Sequence, residues 1–238
     1  MPCIVCGANQ TVRSHIIPKA VTRDLRRGAP HAIQGSSRHI GVRKTPGGAF
    51  SDDLLCEMHE AVTSRFDTYG VAFLRRAKEA FDAYGPDTFW VENHEPETLS
   101  RFVASVIWRE VHSFGDQPLG PYEGLVRDHV FSSGKLSWPM MVWRDNFSLD
   151  DKQAMEFNTH PYRTKFWDRN AWMFSAIGFS FVAVSDKRGI PIIPDDMVAN
   201  KANPLRVLVG SQMDYLKIPT LQPILKQMRR KRPKPSRI

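Results

Sequence analysis

Cysteine is scarce in this chain, three residues among 238, too few for the closed disulfide framework of a small secreted domain. No run of about 18 uncharged apolar residues occurs, so no segment reads as a membrane-spanning helix. The opening MPCIVCGANQ lacks the basic-then-apolar layout of a signal peptide. A Gly-rich phosphate loop and a Gly-x-Ser-x-Gly elbow are both missing, which excludes the nucleotide-binding and serine-hydrolase chemistries that depend on them. Acidic residues are absent from 215–238, and Asp24 is the only one in 1–45. These absences lead us to expect a soluble, cytoplasmic protein with no membrane partner.

What is present is unevenly distributed. The net charge of +8 divides into +7 over residues 1–45, −7 over 46–214 and +8 over 215–238. Basic segments at both ends suggest a polyanionic partner, because each phosphate contact releases counterions from nucleic acid. The acidic middle could instead dock a protein. The last residues, MRRKRPKPSRI, combine like charges with prolines and read as a disordered basic tail.

The cysteines are not scattered. Cys3 and Cys6 form a C-x2-C pair, and Cys56 with His59 forms a C-x2-H pair. Each pair fixes two ligands on one turn, and together they supply the four donors of a tetrahedral zinc site. His15 or His39 could replace His59 as fourth ligand. Such a site is closed and therefore scaffolding, since no position is left for water.

Between the pairs the chain reads as short strands and loops, broken at Gly28 to Pro30, Gly35-Ser36-Ser37 and Pro46-Gly47-Gly48, with Ile40 to Lys44 alternating like a strand. From Cys56 to about residue 84 the apolar residues Val62, Phe66, Tyr69, Phe73 and Phe81 fall near one helical face, with Gly70 a potential kink. Gly85-Pro86 marks a boundary. Beyond it, Leu99 to Phe114 reads as an amphipathic helix opened by Pro96 and Glu97, and Tyr122 to Phe131 as a second. Strand-like runs follow at Met140 to Trp143, Trp172 to Val184 and Leu205 to Val209. The expected architecture is α+β: a zinc-stapled ββα module over 1–85, a larger α+β domain over 86–214, and the basic tail over 215–238. Trp138, Trp143, Trp167 and Trp172, with Arg144, Arg163 and Arg169, could make a stacking surface for unpaired bases, although core placement is the commoner fate of tryptophan.

The motif Arg13-Ser14-His15-Ile16-Ile17-Pro18-Lys19 lies between the ligand pairs. The order C-x2-C, S-H-I-I-P-K, then C-x2-H opening a helix resembles the HNH endonuclease superfamily in its zinc-stapled form, over roughly residues 3–70. That resemblance implies two strands and a helix around a catalytic Mg²⁺ or Mn²⁺, hydrolysis of DNA phosphodiester bonds in a phage or bacterial defence setting, and His15 as general base. A histidine titrating near neutrality suits that role. The pattern departs from the family at Ser14, where relatives carry an acid or a second His, and at Glu60, Thr63 and Ser64, where His or Asn is usual. Two outcomes are open: a site rebuilt on carboxylates from Asp52, Asp53, Glu60 and Asp67, or an inactive module that binds nucleic acid or protein. Glu60, Ser64 and Asp67 share one helical face by their spacing. Arg13, Lys19, Arg23, Arg43 and Lys44 are the residues expected to hold the phosphate backbone, a type of contact that positions without reading sequence.

Overall fold

The computed structural model describes residues 1–26, 32–36, 39–45, 47–85, 88–115, 117–146, 156–189 and 193–210, with 32–36 and 39–45 described by backbone alone. The fold is mixed α+β, as expected. Strand β1 (Val12–His15) leads into helix α1 (Lys19–Arg26), then strands β2 (Ala32–Ser36), β3 (His39–Thr45) and β4 (Phe50–Leu55), and the long helix α2 (Glu57–Tyr84). Strand β5 (Thr88–Val91), helices α3 (Pro96–Phe114) and α4 (Glu123–Phe131), and strands β6 (Met140–Arg144), β7 (Thr159–Phe166), β8 (Arg169–Ala176), β9 (Phe179–Val184) and β10 (Leu205–Val209) complete it. The basic tail, His31 and the side chains of His39, Arg43 and Lys44 lie outside the described residues.

Strands β1 and β4 pair antiparallel as a two-stranded ribbon, with Ser14 opposite Ser51 and His15 opposite Phe50. The other eight form one sheet in the order β3-β2-β7-β8-β9-β6-β10-β5. The partner of the His15 strand is therefore β4, whereas the alternating Ile40 to Lys44 segment pairs with β2 at the far edge of the large sheet.

Strand side chains alternate faces, and the central strands follow this strictly. Met140 and Val142 of β6, Trp172, Phe174 and Ala176 of β8, and Phe179, Phe181 and Ala183 of β9 join the main core, while Met141, Trp143, Ala171, Met173, Val182 and Val184 form a second apolar cluster. Helices α2 and α3 cover the first face. The main core runs without a break from Cys3, Leu54 and Leu55 through Phe73 and Phe102 to Val207, so the expected boundary at Gly85-Pro86 is crossed by a shared interior. Trp138, Trp143 and Trp172 are buried and Trp167 is exposed, which gives the core placement for three of the four tryptophans considered for stacking. Among the described residues, no helix is long and apolar enough to cross a membrane.

One buried group makes the fold sensitive to acid. His94, between β5 and α3, is 1% exposed, sits edge-on to Phe73, and neither ring nitrogen has a hydrogen-bond partner. Burial, reinforced by Arg76 and only partly opposed by Glu95, depresses its pKa from 6.5 to about 4. The unfolded chain takes up this proton at the higher pH, so the stabilisation is complete above pH 6.5 and is lost as the pH falls towards 4. The loss amounts to no more than about 3.5 kcal/mol. Denaturant titrations from pH 7 to 4 should show this decline, and His94→Leu should flatten it. An unchanged slope in the variant would mean that His94 is not the source.

Candidate functional site

Two groups of polar residues meet where the β1–β4 ribbon joins α2. The first is the Cys/His cluster. The Cys3 to Gly7 segment forms a tight turn, with the Gly7 amide donating to the Cys3 carbonyl at 2.7 Å and the Cys3 amide to Ala8 at 2.7 Å. Cys56 caps the start of α2 in extended conformation, and the helical rise brings His59 back alongside it. The Ile4 amide bonds the Leu54 carbonyl at 3.2 Å, which holds the turn against the end of β4. The donor atoms of Cys3, Cys6, Cys56 and His59 all lie within 4.8 Å of one another, an arrangement that could hold a metal ion. Cys6 Sγ is 3.8 Å from Cys56 Sγ, and His59 Nδ1 is 3.3 Å from Cys56 Sγ and 3.6 Å from Cys3 Sγ. Burial raises the Cys3 thiol, but hydrogen bonds from the backbone amides of Cys56, Cys6 and Val5 outweigh it and bring the pKa down to about 6. Amides aimed at a thiol in this way favour the thiolate, the form that ligates metals.

The second group surrounds His15. Its half-buried ring lies near Phe50, with centroids 5.9 Å apart. Burial lowers its pKa, and the positive charges of Lys19, Arg109 and Arg13 lower it further, against a smaller opposing effect of Asp67. Gly47 leaves room beside the ring: a Cβ there would stand 3.8 Å from Nε2, in ordinary contact. Ser14 is wholly buried, and its hydroxyl and the buried Oε2 of Glu60 each lack a hydrogen bond of good geometry, although the two side chains lie near enough to interact. Burial raises the Glu60 pKa, while the Ser14 hydroxyl and the Arg109 charge pull the other way.

The carboxylates proposed as a set do not gather. Asp67 is engaged by Arg109, whose Nη1 and Nη2 donate to its two oxygens at 2.8 and 2.6 Å. Asp52 is exposed and accepts from Arg13 Nε at 3.0 Å, and exposed Asp53 lies 3.6 Å from the N-terminal amine. Among the described residues, Asp52, Asp53, Glu60 and Asp67 form no group able to hold an ion; the cysteine and histidine group is the one that does. The physical reason is local: two of these acids already have cationic side chains as partners, and alternation along β4 sends Asp52 and Asp53 to different faces. The basic residues also divide. Arg13, Lys19 and Arg23 are exposed, with Arg13 resting over the Phe50 ring at 4.1 Å.

Sequence reasoning passed over Arg109. Its signal was a lone cation on the apolar face of α3, seven residues after Phe102, where helical spacing returns it to the buried side. The chain matches no family model, no curated protein and no solved structure.

Proposed function

We propose that the ion held by Cys3, Cys6, Cys56 and His59 is a structural zinc, and that the unit it ties together is an HNH-type endonuclease site with His15 as general base. The observation that carries the zinc reading is the donor spacing. A tetrahedron with zinc–sulfur bonds of about 2.3 Å and zinc–nitrogen bonds of about 2.05 Å has S–S edges near 3.8 Å and S–N edges near 3.6 Å. Three of the six separations, at 3.8, 3.6 and 3.3 Å, agree with those edges to within a few tenths of an ångström, and all six lie within 4.8 Å.

The nuclease reading rests on the order of elements. A ribbon carrying His15 is followed by a helix whose first turn carries Glu60, and the metal cluster staples the two. A ring held neutral by burial and by nearby cations can accept a proton at Nε2 from water. The resulting hydroxide attacks phosphorus, the bond to the leaving oxygen breaks, and that oxygen takes a proton from solvent. Lys19, Arg13 and Arg23 are exposed around β1 and α1, where they would hold the phosphate backbone. The described residues do not fit a divalent ion caged by protein; the Glu60 carboxyl, whose buried Oε2 has no hydrogen bond of good geometry, is the group that Mg²⁺ or Mn²⁺ could use, together with waters and substrate phosphate, to neutralise developing charge.

Zinc-loaded protein given Mg²⁺ or Mn²⁺ should cleave single- or double-stranded DNA, and His15→Ala should slow cleavage by about 10²- to 10⁴-fold while leaving zinc content and circular dichroism unchanged. Absence of cleavage by the wild type, or an undiminished rate in the variant, would defeat this reading. One observation favours a second reading, a non-cutting nucleic-acid-binding or protein-interaction module: Asp52 and Asp67 are already paired with arginine. Salt-sensitive DNA binding that survives His15→Ala, without cleavage under either metal, would support it.

A further inference from the structure

We infer that Gly47 keeps open a seat for one phosphate group of the substrate, the space bounded by His15 Nε2 on one side and the Lys19 side chain on the other. This rests on the reading of His15 as a base, and it sets Lys19 apart from the other exposed cations as the residue that binds the phosphate under attack. A Cβ on Gly47 would stand 3.8 Å from His15 Nε2, 3.8 Å from Lys19 Cε and 3.9 Å from Lys19 Cγ. The end of β1, the start of α1 and the turn before β4 thus converge on one point.

That turn is pinned on both sides. The Ile16 amide donates to the Ala49 carbonyl at 3.0 Å, which ties the turn to the end of β1, and Gly48 packs on the buried Thr22 of α1. The two glycines are there for different reasons. Gly48 has a φ of 87°, and a Cβ there would meet Thr22 Oγ1 at 2.8 Å, so backbone and packing both demand glycine. Neither demand applies to Gly47: its φ lies outside the left-handed region, and an added Cβ would make only ordinary contacts. What a side chain at 47 would take is the space beside Nε2.

The groups facing that space suit an anion. Lys19 is exposed and makes no hydrogen bond or ion pair among the described residues, whereas Arg13 is held by Asp52 at 3.0 Å and lies over the Phe50 ring. The His15 ring nitrogens likewise have no hydrogen-bond partner among the described residues. A charge-assisted hydrogen bond spans about 2.7–2.9 Å, and the Lys19 ammonium lies one bond beyond Cε. A phosphoryl group in the seat therefore accepts from Lys19 through its non-bridging oxygens, and the water that attacks phosphorus lies between it and Nε2.

Inorganic phosphate is the probe, titrated at pH 7 into the zinc-loaded full chain while the His15 ring and the 47–49 amides are followed by NMR, with chloride at equal ionic strength as reference. Its P–OH group donates to a neutral Nε2 while its other oxygens accept from Lys19. Wild type should show saturable shifts of the His15 ring that chloride does not produce. Gly47→Leu, which fills the space, should weaken phosphate binding at least about tenfold, and Lys19→Gln by about the same factor. Neither should lower the melting temperature by more than about 2 °C. A His15 ring that does not respond in wild type, a response that chloride equals, or a folded Gly47→Leu that binds phosphate as wild type does overturns the inference. If Gly47→Leu does not fold, Gly47→Ala and Lys19→Gln are judged by the same titration. Should wild type bind phosphate yet cut no DNA, the base reading fails while the seat stands. Should Gly47→Leu cut DNA at the wild-type rate, the seat falls while the base reading stands.

Discussion

Stripping the proposed zinc from the Cys3, Cys6, Cys56 and His59 cluster is expected to lower the melting temperature by about 10–15 °C, following from a loss of some 4–5 kcal/mol at roughly 2–4 °C per kcal/mol for a chain of this size. Structural zinc contributes apparent binding energies of about 10–16 kcal/mol in small modules, comparable with the whole stability of an ordinary domain. Here only part of that would appear, because Leu54, Leu55 and α2 are also held by the main core. The damage would nevertheless travel. His59 stands edge-on to Phe131 of α4 at 5.4 Å, and Phe131 stands edge-on to Trp108 at 4.8 Å. Losing the His59 anchor loosens an aromatic stack whose far end is the Trp108 indole, which donates to Glu123 at 3.0 Å. Metal analysis should find one zinc per chain, and chelator or Cys56→Ser should shift both the melting curve and the near-ultraviolet tryptophan spectrum. Metal-free protein with an unaltered melting curve would refute the assignment.

Gly70→Ala should destabilise the protein by about 1–2 kcal/mol, against the usual rule. Replacing glycine by alanine inside a helix ordinarily gains about 1 kcal/mol through backbone entropy. At residue 70 the new Cβ would lie 2.5 Å from Cδ2 and Cε2 of Phe102, well inside van der Waals contact. Phe102 cannot withdraw easily: it is fully buried, with Phe181 at 5.9 Å and Phe174 at 6.3 Å between ring centroids. Overpacking a site of this kind costs about 1–3 kcal/mol or more, enough to reverse the sign. Gly124→Ala in α4 is the matched control, since a Cβ there meets nothing within 4 Å, and it should be neutral or stabilising. Equilibrium denaturation of both variants decides the point: equal stabilities would mean that α2 and α3 do not meet so closely.

Gly70 also illustrates what could be read in advance. The sequence suggested a kink; the residue instead permits a close crossing of two helices, and only the partner Phe102 reveals this. Helix limits were more accessible, because Pro96 and Glu97 at the start of α3 and Gly85 after α2 are local signals acting within one turn. Strand pairing was less so. Trp172 to Val184 reads as one apolar run, yet it is two strands joined at Ile177-Gly178, with φ of 52° and 73°. A β-branched residue in the left-handed region is uncommon, so Gly178 was the turn's one compositional mark, and a single glycine in an apolar run is a weak one. The turn at Trp167-Asp168, with φ of 44° and 62°, was also hard to read, because it contains no glycine and opens on a bulky residue in the left-handed region. In the candidate site, the four cysteine and histidine positions were legible because two short spacings determine them. The pairing of Asp67 was not: its partner lies 42 residues along the chain, and no pattern within α2 points to it.

The position of β10 has a consequence for the order in which the sheet can be completed. It lies between β6 and β5, parallel to the first and antiparallel to the second. Leu205 faces Val91 and Leu208 faces Thr88, so among the described strands β5 has no partner until residues 205–209 have been made. At synthesis rates of about 5–20 residues per second, the roughly 110 intervening residues take on the order of 5–25 s. During that interval Phe89 and Val91 lack the Val207 and Leu205 neighbours they face in the finished sheet. The nascent chain therefore passes through a stage in which its later core is open to chaperones and to other chains, and closure by β10 ends it.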